Sequence, residues 1–211
     1  KNVTNPYYAF GVLYTSENYA KWEATKGPEY RKYREQWVDR PENRDPGEYP
    51  LNLNVEVTTR CNLACTFCTN PSLRDEQLGD IPFEIFEQLM EEGEKYGLPA
   101  INLNGLGEPM LRKDIVDFVR VAKERGVLDI MFHTNATIMT DKLASNLIDA
   151  GIDRIIFSVD SPDKETYENM RLLKTSYDKA KASPEENLSI KGQTWEKTVE
   201  NVRQFVRVRD E

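Results

Sequence analysis

The chain has 211 residues, of which 39% are hydrophobic and 30% charged, a composition typical of a soluble globular domain with a sizeable core. Its 28 basic and 36 acidic residues give a formal net charge of −8, which argues against a nucleic-acid partner because phosphate binding needs a basic surface. No apolar segment approaches the roughly 20 residues that cross a bilayer, and the first ten residues lack a secretory pattern. We therefore expect a cytoplasmic protein with no membrane partner.

The first 50 residues are rich in tyrosine and charge, and they predict an N-terminal helical extension followed by a linker. Aromatic residues recur at loose helical spacing between Glu17 and Trp37, which indicates one surface helix. Three prolines then mark an irregular connector, at Pro41, Pro46 and Pro50.

From residue 51 onward, strand-like and helix-like segments alternate, and this partial core extends to residue 211. Strands are predicted at residues 51–57, 100–104, 128–133 and 154–159. Helices are predicted at residues 82–96, from 111 to about 125, after Thr140, after Ser161-Pro162 and from Trp195 onward. This alternation favours an α/β fold with parallel strands and right-handed crossovers, whose ligand site lies where the strands end.

Turn and capping residues mark the ends of these helices. Glycines follow three of them, at Gly97, Gly126 and Gly151. Thr140 is predicted as one N-cap, and Ser161-Pro162 as an N-cap followed by proline at the first helical position. The inward face of helix 82–96 is predicted to consist of Ile85, Phe86, Leu89, Met90 and Gly93, and that of the last helix of Trp195, Val199, Val202 and Phe205. Residues 172–193 are rich in Lys, Ser, Glu and Asn and predict a mobile insertion.

All three cysteines of the chain lie in one loop after the first strand, as Cys61, Cys65 and Cys68. An odd, clustered set is a poor disulfide framework and a good metal or cluster site. Three thiolates can ligate three irons of a 4Fe–4S cluster and leave the fourth iron open to substrate. A zinc site remains an alternative, with His133 as its fourth ligand.

The Cys-x3-Cys-x2-Cys spacing, with Phe67 before the third cysteine, resembles the cluster loop of the radical S-adenosylmethionine (radical SAM) superfamily. The resemblance implies a partial (β/α) barrel that binds a 4Fe–4S cluster and S-adenosylmethionine. It also implies an enzyme that cleaves S-adenosylmethionine reductively, so that a 5′-deoxyadenosyl radical abstracts hydrogen from an unidentified substrate, in peptide maturation or in sugar or small-molecule modification. A flavodoxin- or ferredoxin-like electron donor is implied as well. A non-catalytic iron–sulfur or zinc structural module remains the alternative.

The segment after the second strand contains Gly105, Gly107 and Glu108, and it resembles the glycine–glutamate motif of that family. Two glycines let a backbone approach a ligand closely. The resemblance implies that Glu108 accepts a hydrogen bond from the ammonium group of S-adenosylmethionine. The alternative is a carboxylate in a solvated turn, held extended by Pro109.

The segment after the third strand, Thr134-Asn135-Ala136, resembles the Thr-Asn-Gly segment of the family, with alanine in place of glycine. Asn135 is therefore a candidate cofactor-binding residue, although asparagine also suits a left-handed turn for backbone reasons alone. His133 is the single histidine of the chain, and we assign it no catalytic role.

The fourth strand ends in Ser158-Val159-Asp160, and Arg171 follows at a spacing that resembles the Ser-x-Asp segment and arginine of the family. The resemblance implies that Ser158 contacts the ribose or carboxylate of S-adenosylmethionine, that Asp160 lies in the same site, and that Arg171 pairs with the carboxylate. The alternatives are helix capping by Asp160 and a surface charge at Arg171.

The family core usually has six strand–helix units, whereas this sequence predicts four. We therefore expect a truncated piece, or the ordered part, of a longer protein. The sequence also resembles members that carry a C-terminal SPASM domain with auxiliary clusters, but no cysteine after Cys68 supports auxiliary clusters in this chain.

Overall fold

The computed structural model describes residues 17–175, 178 and 194–210. The chain divides into two compact units, Lys1–Gly47 and Glu48–Glu211. Within the part of the chain that the structure describes, none of the helices combines the length and the apolar character that a membrane span requires.

The first unit contains two helices, α1 (Glu17–Ala24) and α2 (Pro28–Asn43), where the sequence predicted one. The break falls at Gly27, whose backbone is extended, and Pro28 then occupies the first turn of α2. Proline has no N–H and its ring crowds the preceding turn, so Pro28 is accommodated at the start of α2 and not in the middle of one continuous helix. Tyr30 and Tyr33 are buried, with ring centroids 5.6 Å apart in an edge-to-face arrangement.

Pro41 lies inside α2, so the prediction that it belongs to the connector is wrong. It sits in the last turn, close to Arg44, whose left-handed backbone (φ 54°) ends the helix. The N–H groups of Arg44 and Asp45 satisfy the carbonyls of Pro41 and Arg40, so the helix terminates normally just after the proline.

The second unit is an α/β domain with one four-stranded parallel sheet and one two-stranded antiparallel ribbon. In chain order it contains β1 (Leu53–Asn54), β2 (Leu63–Cys65), α3 (Phe83–Tyr96), β3 (Ala100–Asn102), α4 (Ile115–Glu124), β4 (Asp129–Thr134), α5 (Asp141–Asp149), β5 (Arg154–Phe157), α6 (Lys164–Met170), β6 (Arg171–Leu173) and α7 (Trp195–Asp210). The sheet has the strand order β1-β3-β4-β5, all parallel, which confirms the predicted alternation. The carboxyl ends of its strands consequently share one edge.

The core of this unit lies between the sheet and the apolar faces of its helices. Phe86 and Met90 of α3 are fully buried, as predicted, and Phe86 packs on Phe118 of α4 with ring centroids 4.5 Å apart. Burying a side chain of this size contributes about 1.5–3 kcal/mol. Ile85 was predicted to face inward but is 50% exposed, because it lies one residue outside the buried stripe.

The ends of the helices largely follow the predicted signals. The glycines after α3, α4 and α5 have φ angles of 68°, 83° and 90°, and the Thr140 hydroxyl accepts from the Leu143 N–H at the start of α5. Ser161 is not the N-cap of α6, however. That position belongs to Asp163, whose carboxylate accepts from the Thr166 N–H over 2.8 Å, while the Ser161 hydroxyl accepts from the Asp163 N–H in the preceding turn.

The ribbon pairs β2 with β6 and was not predicted. Cys65 stands opposite Arg171, and Leu63 opposite Leu173. The first two residues of the predicted 172–193 insertion are thus part of a strand, and most of that segment (176–177 and 179–193) lies outside the described residues. The ribbon connects the cysteine loop to the chain that follows α6.

Candidate functional site

The three cysteines are free thiols, partly exposed, in the loop that follows β1. Each sulfur accepts a hydrogen bond. The backbone N–H of Leu63 donates to Cys61 over 3.5 Å and that of Asn70 donates to Cys68 over 3.4 Å, while the guanidinium Nη1 of Arg171 lies 3.8 Å from the sulfur of Cys65. Such donors stabilise sulfur that carries negative charge.

Without a bound metal, Cys61 and Cys65 favour the protonated thiol. Burial raises the pKa of Cys61 to about 11, although the Leu63 N–H opposes the shift. Burial also raises the pKa of Cys65, against the opposing charge of Arg171. Because metal ligation requires thiolates, binding must release protons from this loop.

The donor set fits an iron–sulfur cluster better than a single zinc ion. Three thiols in one loop can supply thiolate ligands to such a cluster, and the N–H groups that face them stabilise negative charge on the sulfurs. Zinc lies about 2.3 Å from each cysteine ligand, so its ligands must converge on one point. Within residues 17–175, 178 and 194–210, no three His, Cys, Asp or Glu side chains are grouped closely enough to hold one ion. The structure therefore gives no support to the zinc alternative with His133.

Asn70 ties the cysteine loop to the loop after β3. Its side chain is buried, and its Nδ2 donates to the carbonyls of Thr59 (2.7 Å) and Leu106 (3.0 Å). Sequence reasoning did not single out this residue, because nothing separates it from any other polar residue in a loop.

Glu108 is buried and not in a solvated turn, so that alternative is wrong. Its Oε1 accepts from the Thr134 hydroxyl (2.7 Å) and the Met110 N–H (3.1 Å), and its Oε2 accepts from the Asn135 N–H (2.7 Å). Burial raises the pKa of Glu108, and these three hydrogen bonds oppose the rise. A carboxylate offers about four acceptor positions, so Oε2 retains capacity for a further donor.

The two glycines before Glu108 lie close to atoms of the segment that follows β1. A Cβ on Gly107 would lie 2.1 Å from the Thr58 carbonyl oxygen, and one on Gly105 would lie 2.1 Å from the Glu56 carboxylate. At Gly107 the neighbouring atoms are backbone and cannot move aside, whereas at Gly105 they belong to the flexible side chain of the exposed Glu56. The Glu108 N–H donates to the Arg60 carbonyl over 2.8 Å, which holds this packing in place.

Asn135 joins the end of β4 to the cysteine loop. Its Nδ2 donates to the Asn62 side-chain oxygen over 2.9 Å, and its Oδ1 accepts from the Thr137 N–H and hydroxyl. Asn62 in turn donates to the Thr137 hydroxyl over 2.7 Å. The three side chains form a closed group beside Cys61.

Ala136 adopts a left-handed backbone (φ 58°), which explains why the related motif has glycine at this position. Asn201 of α7 donates to the Ala136 carbonyl over 2.7 Å, and the Thr198 hydroxyl reaches the Asn135 carbonyl at 3.5 Å. The buried face of α7 is therefore Thr198, Asn201 and Phe205, shifted from the apolar face that the sequence predicted. Apolar periodicity could not reveal a helix face that is buried through hydrogen bonds.

Arg171 is 7% exposed and pairs with Asp160, whose carboxylate lies 2.6 Å from Nε. Its guanidinium also lies over the Phe67 ring, 5.6 Å from the centroid. Arg171 is therefore not a surface charge, and Asp160 is not a helix cap. Ser158 follows β5 and extends its pairing, with its N–H donating to the Thr134 carbonyl over 2.8 Å.

His133 contributes its backbone to the sheet edge. Asn104 accepts from the His133 N–H (2.6 Å) and donates to its carbonyl (3.2 Å), so one side chain extends the β3–β4 pairing. Burial, together with the nearby Arg154, lowers the pKa of His133 and favours a neutral imidazole.

These contacts bring most of the predicted site residues together at the carboxyl edge of the sheet. One group contains Cys65, Phe67, Asp160 and Arg171, and another contains Glu108 and Asn135 with their partners. The positive charge of Arg171 also opposes the rise in the pKa of Glu108.

Comparison with known proteins gives consistent results. The family model described as "Radical SAM superfamily" matches residues 55–208. A tungsten-containing aldehyde ferredoxin oxidoreductase cofactor-modifying protein of Pyrococcus furiosus is 36% identical over 109 residues, which is 51% of this chain and 30% of that protein. A probable GTP 3′,8-cyclase of Pyrococcus horikoshii is 36% identical over 121 residues, 57% of this chain and 38% of that protein. The chain thus spans about a third of the length of these relatives.

Solved structures show the same fold. Native anSMEcpe with bound AdoMet has a TM-score of 0.59 at 19% identity, covering 76% of this chain and 42% of that one. Methylornithine synthase has a TM-score of 0.53 at 17% identity, covering 92% of this chain and 52% of that one. The α/β domain is accordingly a partial (β/α) barrel. Because the family model covers well over half of the sequence, the chain belongs to the radical SAM superfamily of enzymes, which use a 4Fe–4S cluster and S-adenosylmethionine.

Proposed function

We propose that this chain is the cofactor-binding core of an enzyme that cleaves S-adenosylmethionine reductively and abstracts hydrogen from a peptide or small-molecule substrate. The observation that carries the proposal is the cysteine loop, in which three thiols each face an N–H donor beside the group around Glu108 and Asn135. When bound, the cluster would supply one electron to the sulfonium, whose bond to the 5′ carbon would break to release methionine and a 5′-deoxyadenosyl radical.

The residues of the chain would bind the cluster and orient S-adenosylmethionine beside it. Cys61, Cys65 and Cys68 would ligate the cluster, and Glu108 would use the remaining capacity of its Oε2 to accept from the ammonium group of S-adenosylmethionine. A guanidinium recognises a carboxylate well, which supports Arg171 as the partner of the methionyl carboxylate. The remaining candidates line the same edge of the sheet: Phe67, Gly105, Gly107, Asn135, Ser158 and Asp160.

Reduction of the cluster requires a partner that delivers one electron at low potential. A flavodoxin- or ferredoxin-like protein supplies electrons of this kind, and we propose one as the physiological donor. An odd, clustered set of three cysteines is a poor disulfide framework, which supports a cytoplasmic location.

Hydrogen abstraction from a small molecule is favoured by the names of the sequence relatives, which include a cofactor-modifying protein and probable GTP 3′,8-cyclases. Peptide substrates are represented among the structures that share the fold, since one of them is anSMEcpe with bound AdoMet and Cp18Cys peptide. That likeness concerns the fold alone, so the small-molecule class has the stronger support.

Anaerobic reconstitution tests the proposal. We expect about four irons and four sulfides per chain, an electron paramagnetic resonance signal after dithionite reduction that changes when S-adenosylmethionine is added, and release of 5′-deoxyadenosine. Substituting any one of the three cysteines with alanine should abolish all of these. Thr66→Ala is the matched control, because Thr66 is exposed in the same loop and should leave cluster content unchanged.

Two outcomes would contradict the proposal. One zinc ion per chain with no iron would indicate a zinc structural module. A complete cluster whose electron paramagnetic resonance signal does not change on addition of S-adenosylmethionine, and which forms no 5′-deoxyadenosine, would indicate a non-catalytic iron–sulfur module.

A further inference from the structure

The three cysteine sulfurs differ in the kind of donor that faces them. Cys61 and Cys68 accept from backbone N–H groups two residues further along the chain, so the loop itself provides those donors. The donor that faces Cys65 is the guanidinium of Arg171, 106 residues away in sequence. Of these three donors, only the last carries a charge.

The strand register builds this contact into the fold. Cys65 and Arg171 are direct partners in the antiparallel ribbon of β2 and β6. Backbone hydrogen bonds close the ribbon at both ends, from the Thr66 N–H to the Met170 carbonyl (2.9 Å) next to this pair and from the Lys174 N–H to the Asn62 carbonyl (3.1 Å) at the other end. Directly opposed residues have Cβ atoms about 4.5–5.5 Å apart, so the two side chains meet without a long reach.

The side chain of Arg171 is held in one orientation. Asp160 accepts from Nε, the ring of Phe67 lies against the guanidinium, and 7% of the residue is exposed. Water screens a buried charge only weakly, so the electrostatic effect of the Arg171 charge on the Cys65 sulfur is larger than that of a charge at the surface. Asp160 is exposed, and solvent therefore screens its opposing charge more strongly.

We propose that Arg171 sets the reduction potential of the cluster by donating from its guanidinium to the Cys65 thiolate, an inference that rests on the proposed function. Reduction adds one electron from the low-potential donor to the cluster and its thiolates, with no bond made or broken. A fixed positive charge and a hydrogen bond to sulfur favour the more negative, reduced state. Arg171 thus raises the potential and makes the cluster easier to reduce before S-adenosylmethionine reacts.

A redox titration followed by electron paramagnetic resonance, without S-adenosylmethionine, tests the inference in the reconstituted protein. Arg171→Gln removes the charge, and we expect at least a tenfold lower ratio of reduced to oxidised cluster at a fixed potential, a shift of about 59 mV to more negative values. Arg171→Lys keeps the charge and should lie between Arg171→Gln and the unsubstituted protein. A fully loaded Arg171→Gln variant with an unchanged potential would overturn the inference.

A second measurement detects the Arg171 guanidinium beside the cluster in the unsubstituted protein. The protein is labelled with arginine that carries ¹⁵N in its terminal guanidinium nitrogens, and the reduced cluster is examined by pulsed electron paramagnetic resonance. We expect a ¹⁵N coupling that disappears in labelled Arg171→Lys protein. No coupling in the labelled protein, or one that persists in Arg171→Lys, would overturn the inference. Failure of the unsubstituted protein to bind a four-iron cluster would instead overturn the proposed function.

Discussion

The side-chain amides of Asn62 and Asn135 meet at 2.9 Å and join the cysteine loop to the segment that follows β4. The two residues are 73 positions apart, and Thr137 closes the group by bonding to both. Two parts of the site that belong to different strand ends therefore hold each other in place. A substitution in the cysteine loop should therefore also destabilise the segment after β4, and the reverse.

Asn62→Ala should loosen both segments. It leaves the Nδ2 of Asn135 without its partner, while the Thr137 hydroxyl keeps its bond to the Asn135 Oδ1, and one buried polar group left unpaired costs about 1–3 kcal/mol of the free energy of unfolding. We expect that loss in urea denaturation of the cluster-free protein, together with weaker binding of S-adenosylmethionine to the reconstituted protein. Asn146→Ala, at an exposed position of α5, is the control. Equal stability of the two variants would contradict the prediction.

Gly107→Ala should be poorly tolerated although it adds only one methyl group. The new Cβ would meet the backbone carbonyls of Thr58 and Arg60, which cannot rotate away, so we expect a loss of about 3 kcal/mol in the free energy of unfolding. Gly79→Ala is matched, because no atom lies within 4 Å of the position that its Cβ would occupy, and it should change stability by less than about 0.5 kcal/mol. Urea denaturation of both variants checks the difference, and a harmless Gly107→Ala would show that the close packing does not persist in solution.

Ala136→Gly should be tolerated at a fully buried position. A left-handed backbone costs an L-residue about 1–2 kcal/mol, which offsets the 0.5–1 kcal/mol or so by which glycine's greater freedom destabilises the folded state. The variant should therefore match the original stability or exceed it by up to about 1 kcal/mol. Ala144→Gly, equally buried but inside α5, should lose about 1 kcal/mol. Thermal or urea unfolding compares the two, and equal losses would contradict the prediction.

His133→Gln should weaken the acid sensitivity of the protein. Burial, with the nearby Arg154, holds the pKa of His133 in the folded protein below its ordinary value of 6.5. Unfolding therefore takes up a proton once the pH falls below about 6.5, and the free energy of unfolding decreases as the pH is lowered through the interval between the two pKa values. Urea denaturation at pH 8 and pH 5.5 should show a smaller decrease for the variant. An identical pH dependence in both proteins would show that His133 does not contribute.

The sequence predicted those parts of the fold that rest on local periodicity. Alternating strands and helices indicated the parallel sheet, and the glycines that end α3, α4 and α5 have the left-handed backbone expected of them. The iron–sulfur chemistry of the site could also be predicted from the sequence, because three cysteines clustered in one loop are typical of a metal or cluster site. The prediction that Ser161 is the N-cap of α6 was wrong, because Asp163, two residues later, has a side chain that suits the position equally well.

The contacts that hold the site together were not predictable in the same way. Most hydrogen-bond partners of three asparagines lie far away in sequence, namely those of Asn62, Asn70 and Asn201. The sequence around a polar residue does not indicate which distant residue it will bond to. The ribbon of β2 and β6 has three residues in each strand, too few to show an alternating pattern. The asparagine contacts and the ribbon depend on pairing between distant segments, which local sequence patterns do not predict.

The ribbon also has a consequence for the order of events during protein synthesis. The segment that faces Cys65 is made 106 residues later, which takes a ribosome about 5–20 s at ordinary rates. Throughout that interval, the nascent chain exposes its thiols without their arginine neighbour. Iron delivered before Arg171 has emerged would therefore meet Cys65 without its charged donor.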